Sequence, residues 1–267
     1  MNSSSPSSST PQPASSHPAP SDDVVTVDVR DPTDTPPAPP GDMLPGTTRR
    51  VAVEMRLLDQ NDRRAEENRE FFRRRNMCVL NLVSSPGAGK TTLLQRTIEA
   101  LAAEVRLAVL VGDLETANDA RRLHRPGVPV AQITTGGTCH LDASMIARGL
   151  AALPLDQVRL LFIENVGNLV CPASFDLGEN RRIALVSCTE GEDKPLKYPP
   201  MFSSAHAVVL TKIDVASAME FDRAMALDNI RRAAPQAEVF QVSARSGEGL
   251  DTWLAYLRKL LRAPSSE

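Results

Sequence analysis

The chain is short of the material that builds aromatic-rich or disulfide-bonded folds. Aromatic residues make up 4% of its 267 positions, and its four cysteines are Cys78, Cys139, Cys171 and Cys188. Four thiols in a chain of this length exclude a disulfide framework; in a reducing compartment they serve as packed thiols or metal ligands. Positive charge is not in excess either. A formal net charge of −3 gives no basic field of the kind nucleic-acid binders carry, so no nucleic-acid partner is expected. No apolar run approaches the length needed to cross a bilayer, and the N-terminus lacks a basic segment followed by an apolar one. No membrane partner and a cytoplasmic location are therefore expected. A hydrophobic fraction of 42% is what the chain does have, enough for the core of one α/β domain with appendages.

Residues 1–48 hold 11 of the 21 prolines and are rich in Ser, Thr and Ala. Such a composition buries too little apolar surface to offset its ordering entropy and predicts a disordered tail. Having no cysteine and a single histidine, His17, the tail offers nothing for metal storage. Residues 49–75 differ: they are highly charged and free of Gly and Pro. Val51, Leu58, Ala65 and Phe72 recur every seven residues, while Asp62 and Arg69 interrupt the companion positions. The segment reads as one long surface helix packed on the domain, in preference to a coiled-coil dimer seam.

The rest of the chain is arranged around VLNLVSSPGAGKTT at Val79–Thr92. An apolar strand (Val79, Leu80, Leu82, Val83) runs into Ser85, Pro86, Gly87, Ala88 and Gly89, and Lys90, Thr91 and Thr92 then open an amphipathic helix. That is the setting of a phosphate-binding loop, although Ser84 stands where the formal pattern has Gly. Small residues let backbone N–H groups approach phosphates, and the helix N-terminus favours their charge. Lys90 is assigned to the β- and γ-phosphates and the Thr91 hydroxyl to Mg²⁺.

Beyond Met77, strand-like runs at 78–83, 107–111, 130–134, 160–163, 183–186, 207–210 and 238–242 alternate with helical runs at 92–104, 117–124, 141–153, 216–234 and 249–261. Alternation of this kind predicts a mostly parallel sheet with helices on both faces, spanning residues 76–264, and places ligands beyond the carboxyl ends of the strands. Asp113, just past the second strand, is read as a holder of Mg²⁺ or an orienter of the attacking water, a role compatible with capping the next helix. Glu164 at the end of RLLFIE is read as a second carboxylate on the Mg²⁺ side. Gly167 offers a backbone N–H to a γ-phosphate and swings when that phosphate leaves. Thr211, Lys212 and Asp214 form a TKxD run. There the carboxylate accepts from guanine N1 and N2 and the lysine stem packs along the base, which favours GTP/GDP over adenine nucleotides. Ser243 and Ala244 begin an SA loop whose backbone N–H meets guanine O6.

Cys139 and His140 lie in a loop opening a helix, and Cys171 follows the 164–167 segment. Thiolate and imidazole suit Zn²⁺, Ni²⁺ or Cu(I), not Mg²⁺. Three ligands per chain make an open site that a second copy would complete. The alternative is that both cysteines are small buried thiols and His140 a loop hydrogen-bonder. Cys78 and Cys188, beside apolar strands, are assigned to the core, and His124 and His206 to surface or packing roles.

The runs SSPGAGKTTLL, GDLETANDA, TGGTCHLDASM, FIENVGNLVCPASFDLGE and TEGEDKPLKYPPMF, in this order across about residues 50–262, resemble the hydrogenase nickel-incorporation GTPase family, HypB. The resemblance implies an α/β P-loop NTPase fold of the class that includes signal-recognition GTPases and urease nickel accessory proteins. It also implies a GTP-hydrolysing nickel chaperone that dimerises with nucleotide and helps load nickel into the hydrogenase large-subunit precursor, alongside a small zinc/nickel-binding accessory protein. Cys139, His140 and Cys171 match the family's interface metal site, which takes nickel or zinc. Some relatives carry an N-terminal cysteine motif or histidine-rich stretch that this chain lacks. Thr211 replaces the more usual Asn, and the second signature lysine of some relatives, due near Ser85, is missing. Other readings are a GTPase accessory protein for another metalloenzyme such as urease, a nucleotide-bound scaffold recruiting partners through residues 49–75, and a small-molecule kinase. Asp214 speaks against the kinase.

Overall fold

The computed structural model describes residues 24–28, 46–114 and 118–262, with only the backbone of residues 46–54. Its strands are β1 (Val24–Asp28), β2 (Cys78–Ser84), β3 (Leu107–Asp113), β4 (Val130–Thr134), β5 (Leu160–Glu164), β6 (Arg181–Ser187), β7 (Ala207–Thr211) and β8 (Glu238–Val242). All pair in parallel, in the order β1-β4-β3-β5-β2-β6-β7-β8. Parallel strands covered on both sides need apolar residues on both faces, and the near-continuous apolar runs supply them. Leu80 and Leu82 pack beneath the helices α2 (Lys90–Leu101) and α8 (Leu250–Arg262), in a layer with Leu94, Ile98 and Trp253. Val79 points the other way, into a layer with Leu110, Ile146 and Leu161, under α1 (Gly46–Arg74) and α4 (Ala143–Ala151). Val83 joins Ala184, Val208 and Ile230 in a third cluster on that same side, under α7 (Arg223–Ala233).

Topology sets the site's position. From β2 the chain crosses to β3, leaving room for β5 between them, and β6 later pairs with β2 on its other edge. Chain direction across the sheet therefore reverses at β2, where the carboxyl-end loops leave a crevice.

Three expectations need correction. Residues 24–28 of the tail form an ordered edge strand, paired with β4 from Val24↔Val130 to Asp28↔Thr134. Residues 46–48 of the tail open α1, and the remaining tail residues lie outside the described ones. The expected helix over 216–234 starts only at Arg223. A 3-10 turn (Ile213–Val215) comes first, and Glu220 at φ 50 breaks the run before Asp222 caps α7 by accepting the Met225 N–H at 2.9 Å. Likewise α4 starts at Ala143, because Asp142 caps it through the Met145 N–H at 2.7 Å. The helix expected at 117–124 is α3 (Asn118–Leu123), whereas the short helices α5 (Lys194–Lys197) and α6 (Pro199–Ser203) carry Pro in their first turns and have no periodic signal.

Candidate nucleotide and metal site

The phosphate loop turns at Gly89, whose φ of 100° favours glycine, directly into Lys90 at the start of α2. Ser85 and Thr92 are half-buried and Ala88 is buried. Lys90 is buried, and its Nζ donates to Ser84 Oγ at 2.8 Å, so the serine that replaces Gly holds the ammonium at the loop. Burial lowers the Lys90 pKa, opposed first by the charge of Glu164. Thr91 Oγ1 donates to Glu164 Oε1 at 2.6 Å. Burial also pushes the Glu164 carboxyl up to about 7, against the pull of Lys90 and Thr91. Its Oε2 is buried with no hydrogen-bond partner among the described residues. A lone buried carboxylate oxygen beside a threonine hydroxyl fits a hard divalent cation such as Mg²⁺. Asp113 ends β3, half-buried; its neighbour two residues back, Val111, lies opposite Glu164, so the aspartate sits farther along the same carboxyl edge. Gly167 approaches the loop so closely that a Cβ there would lie 2.9 Å from Pro86 Cα.

Beside the loop is a cleft of roughly 230 Å³ lined by Gly89, Thr92, Thr211, Lys212, Asp214 and Ala244. Thr211 donates from Oγ1 to the Ala88 carbonyl at 2.6 Å, tying the end of β7 to the phosphate loop. Lys212 adopts a left-handed φ of 57°, and Asp214 is exposed on the following 3-10 turn. Ser243 is buried; its N–H is bonded to the Glu248 carbonyl at 2.8 Å, so it shapes the loop while Ala244 lines the cleft.

Cys139, His140 and Cys171 come together, with one ligand atom from each within 4.8 Å of the others. The two Sγ atoms are 2.9 Å apart as unbridged thiols, and all three residues are partly exposed. His140 stacks on Phe175, centroids 3.9 Å apart at 27°, and its Nδ1 is buried without a hydrogen-bond partner among the described residues. Burial lowers the His140 pKa and keeps the imidazole neutral, as a ligand requires. The neighbouring Cys139 thiol is the first cause that raises the Cys171 pKa. This donor set fits Ni²⁺ or Zn²⁺. Cys188 is buried, and Cys78 is largely buried with a pKa pushed to about 11; neither joins the cluster. His206 is exposed at the surface, its Nδ1 accepting from the Arg182 N–H at 3.0 Å.

The motif readings missed several residues around this site. Phe175 holds the imidazole. Asn168 reaches the Cys139 carbonyl at 3.4 Å, and Asn165 accepts the Leu141 N–H at 3.2 Å. Asn81 breaking an apolar strand was the one available signal.

A model of the CobW/HypB/UreG nucleotide-binding domain matches residues 78–241. The hydrogenase maturation factor HypB of Escherichia coli K12 is 52% identical over 219 residues, 81% of this chain and 76% of that protein. The chain belongs to the HypB family. Among solved structures, HypB from Archaeoglobus fulgidus superposes with a TM-score of 0.72 at 38% identity, over 76% of this chain and 100% of that one. HypB from Helicobacter pylori, solved in complex with nickel, gives 0.71 at 39% identity, over 76% and 95%. The fold is thus the P-loop nucleotide-binding fold of HypB proteins, as the motif order implied. No helix among the described residues is long and apolar enough to cross a membrane.

Proposed function

We propose that this chain is a GTP-hydrolysing nickel metallochaperone that assists nickel insertion into the [NiFe]-hydrogenase large-subunit precursor. It works in the cytoplasm as a nucleotide-linked homodimer and exchanges metal with a small zinc/nickel-binding accessory protein. The observation that carries this reading is the Cys139–His140–Cys171 cluster on the carboxyl edge that also holds the phosphate loop. The nickel complex of the H. pylori relative supports nickel as cargo, and zinc suits the same donors.

In this reading Lys90 binds the β- and γ-phosphates, and loop N–H groups from Ser85 to Thr92 cradle them. Asp214 accepts from the guanine edge, Lys212 lies along the base and the Ala244 N–H meets O6. Thr91, Glu164 and Asp113 would hold Mg²⁺, which supplies charge neutralisation at the phosphates. Asp113 also orients the attacking water. Gly167 gives its N–H to the γ-phosphate, so the 164–167 segment has one arrangement with GTP and another with GDP. Cys171 follows that segment and Cys139 is bonded to it through Asn168, so nucleotide state alters ligand spacing and metal affinity, and metal reciprocally alters nucleotide affinity.

Nickel titration of the GDP-bound and GTP-analogue-bound forms tests this, with GTP turnover measured in parallel. Different affinities in the two forms are expected, with nickel binding lost in Cys139→Ala and turnover lost in Lys90→Ala. Nickel binding untouched by Cys139→Ala would remove the metal reading. Turnover that survives Lys90→Ala would make the nucleotide a structural element only.

A further inference from the structure

A polar side chain inside a parallel sheet costs free energy unless its donors and acceptors are all paired. Asn81 lies in the middle of β2, fully buried between Leu80 and Leu82, on the strand that feeds the phosphate loop. Both halves of its amide are used. Nδ2 donates to Glu179 Oε1 at 3.1 Å, and Oδ1 accepts from Asn165 Nδ2 at 3.2 Å. Asn165 follows Glu164 directly and is equally enclosed. Its Oδ1 accepts the N–H of Val166 at 2.9 Å and of Leu141, the residue after His140, at 3.2 Å.

The other branch leads to the second metal loop. Glu179 pairs with Arg182 at 2.9 Å, their side chains 5% and 9% exposed, and takes the Leu177 N–H at 2.8 Å. Arg182 spreads its guanidinium over two carbonyls, Ala173 at 3.0 Å and Phe175 at 2.9 Å. Ala173 shares the 3-10 turn with Cys171, and Phe175 carries the ring stacked on His140. One unbroken set of buried and part-buried hydrogen bonds therefore joins the segment after Glu164 to both loops that carry Cys139, His140 and Cys171.

We propose that Asn81, Asn165, Glu179 and Arg182 are positioning residues that relay the nucleotide state to the spacing of the three metal ligands, with Asn81 as the link between the two branches. The relay rests on the metallochaperone reading of the site. Leucine at position 81 would continue the apolar strand but leave Asn165 Nδ2 without the acceptor it has now, so the asparagine is the tie between the two branches. A buried polar network specifies one arrangement of its members and carries a displacement of one to the rest. Here the displaced member is Asn165: Gly167, two residues on, packs against Pro86 of the phosphate loop, so a γ-phosphate contact there shifts the 164–167 segment.

The test measures nickel affinity of the full chain with GDP and with a non-hydrolysable GTP analogue, in wild type, Asn81→Leu and Arg182→Lys. The lysine at 182 keeps the pair with Glu179 but not the fork over Ala173 and Phe175. Wild type is expected to show a ratio between the two forms in the range typical of coupled sites, about 5- to 150-fold. In both variants the ratio is expected to fall to within about twofold of unity while nickel still binds and GTP still turns over. A ratio that persists in the variants overturns the relay and leaves the metallochaperone reading standing. So does a loss of affinity that is equal in both forms, since that is what a purely structural role gives. A wild-type ratio of one overturns the coupling and the relay together. Should Asn81→Leu fail to fold, Arg182→Lys decides by the same ratio.

Discussion

At the scale of single residues, the site is built on buried groups whose pKa values burial moves against the pull of their neighbours. Glu164 ionises at about 7 in the folded chain against a reference of 4.5. Between those values the folded protein binds a proton that the unfolded chain has released. That contribution to stability is present in full below about pH 4.5 and is lost as pH rises to about 7. Glu164→Gln cannot ionise and escapes the loss. Denaturant unfolding of nucleotide-free protein should show the variant gaining on wild type as pH rises from 4.5 to about 7 and running parallel above it. Parallel curves across the whole window would refute the burial argument. Turnover of the same variant should drop by ~10²-fold or more, since a carboxylate that would hold the charge-neutralising Mg²⁺ is gone. Lys90, Thr91 and Glu164 were legible in the sequence because phosphate chemistry demands fixed residue types at fixed spacing after a strand. Phe175 and Asn165 were not: one aromatic or amide in a loop has no period, and its role exists only through residues far along the chain.

At the scale of elements, α1 shows what a pattern reading captures and what it omits. Ala65 and Phe72 of the seven-residue repeat are buried against the domain, as a packed surface helix requires. The same stripe is completed by Asn61 and Asn68, which are buried and bond backbone rather than apolar groups. Asn61 donates to the Asp176 carbonyl at 2.8 Å and accepts the Ala143 N–H at 2.9 Å. Asn68 donates to the carbonyls of Ala143 at 2.9 Å and Leu177 at 3.1 Å. The helix thus clamps the segments just beyond both metal loops. Gly178 makes the approach possible: its φ is +86° and a Cβ there would meet the Ala65 carbonyl at 2.5 Å. Gly178→Ala is expected to lower stability by about 2 kcal/mol, from the left-handed backbone and the lost docking together. Nickel affinity should weaken with it, because the clamp on Ala143 and Leu177 loosens. Thermal unfolding and nickel titration check the two effects, and an unchanged melting temperature would show that α1 yields without cost. The strands around the phosphate loop were visible as apolar runs long enough to be fully buried. β1 was not, because four strand-forming residues sit in a proline-rich tail whose average composition hides them, and their partner β4 lies more than a hundred residues away.

At the scale of the whole molecule, the proposed metal site would leave a position that a second copy could fill. Three donors leave a four-coordinate ion one ligand short, to be supplied by water or by another chain. Next to Cys171, the apolar side chain of Val170 is 63% exposed. A two-fold axis at this face of the proposed homodimer would bring both copies of the cluster together and cover Val170. In the proposed homodimer, light scattering of the 28.9 kDa chain should give about twice that mass with Mg²⁺ and GTP analogue. The mass is expected to return to that of one chain with GDP. Val170→Glu places a like charge opposite itself across such an axis and should shift the dimer equilibrium at least tenfold toward single chains, an estimate of about 1.4 kcal/mol. GDP affinity should stay the same, because Val170 lies outside the base cleft and the phosphate loop and the GDP form is a single chain. A dimer that forms equally well in this variant would place the interface on another face, and the fourth ligand would then have to come from solvent or from the partner that delivers the metal.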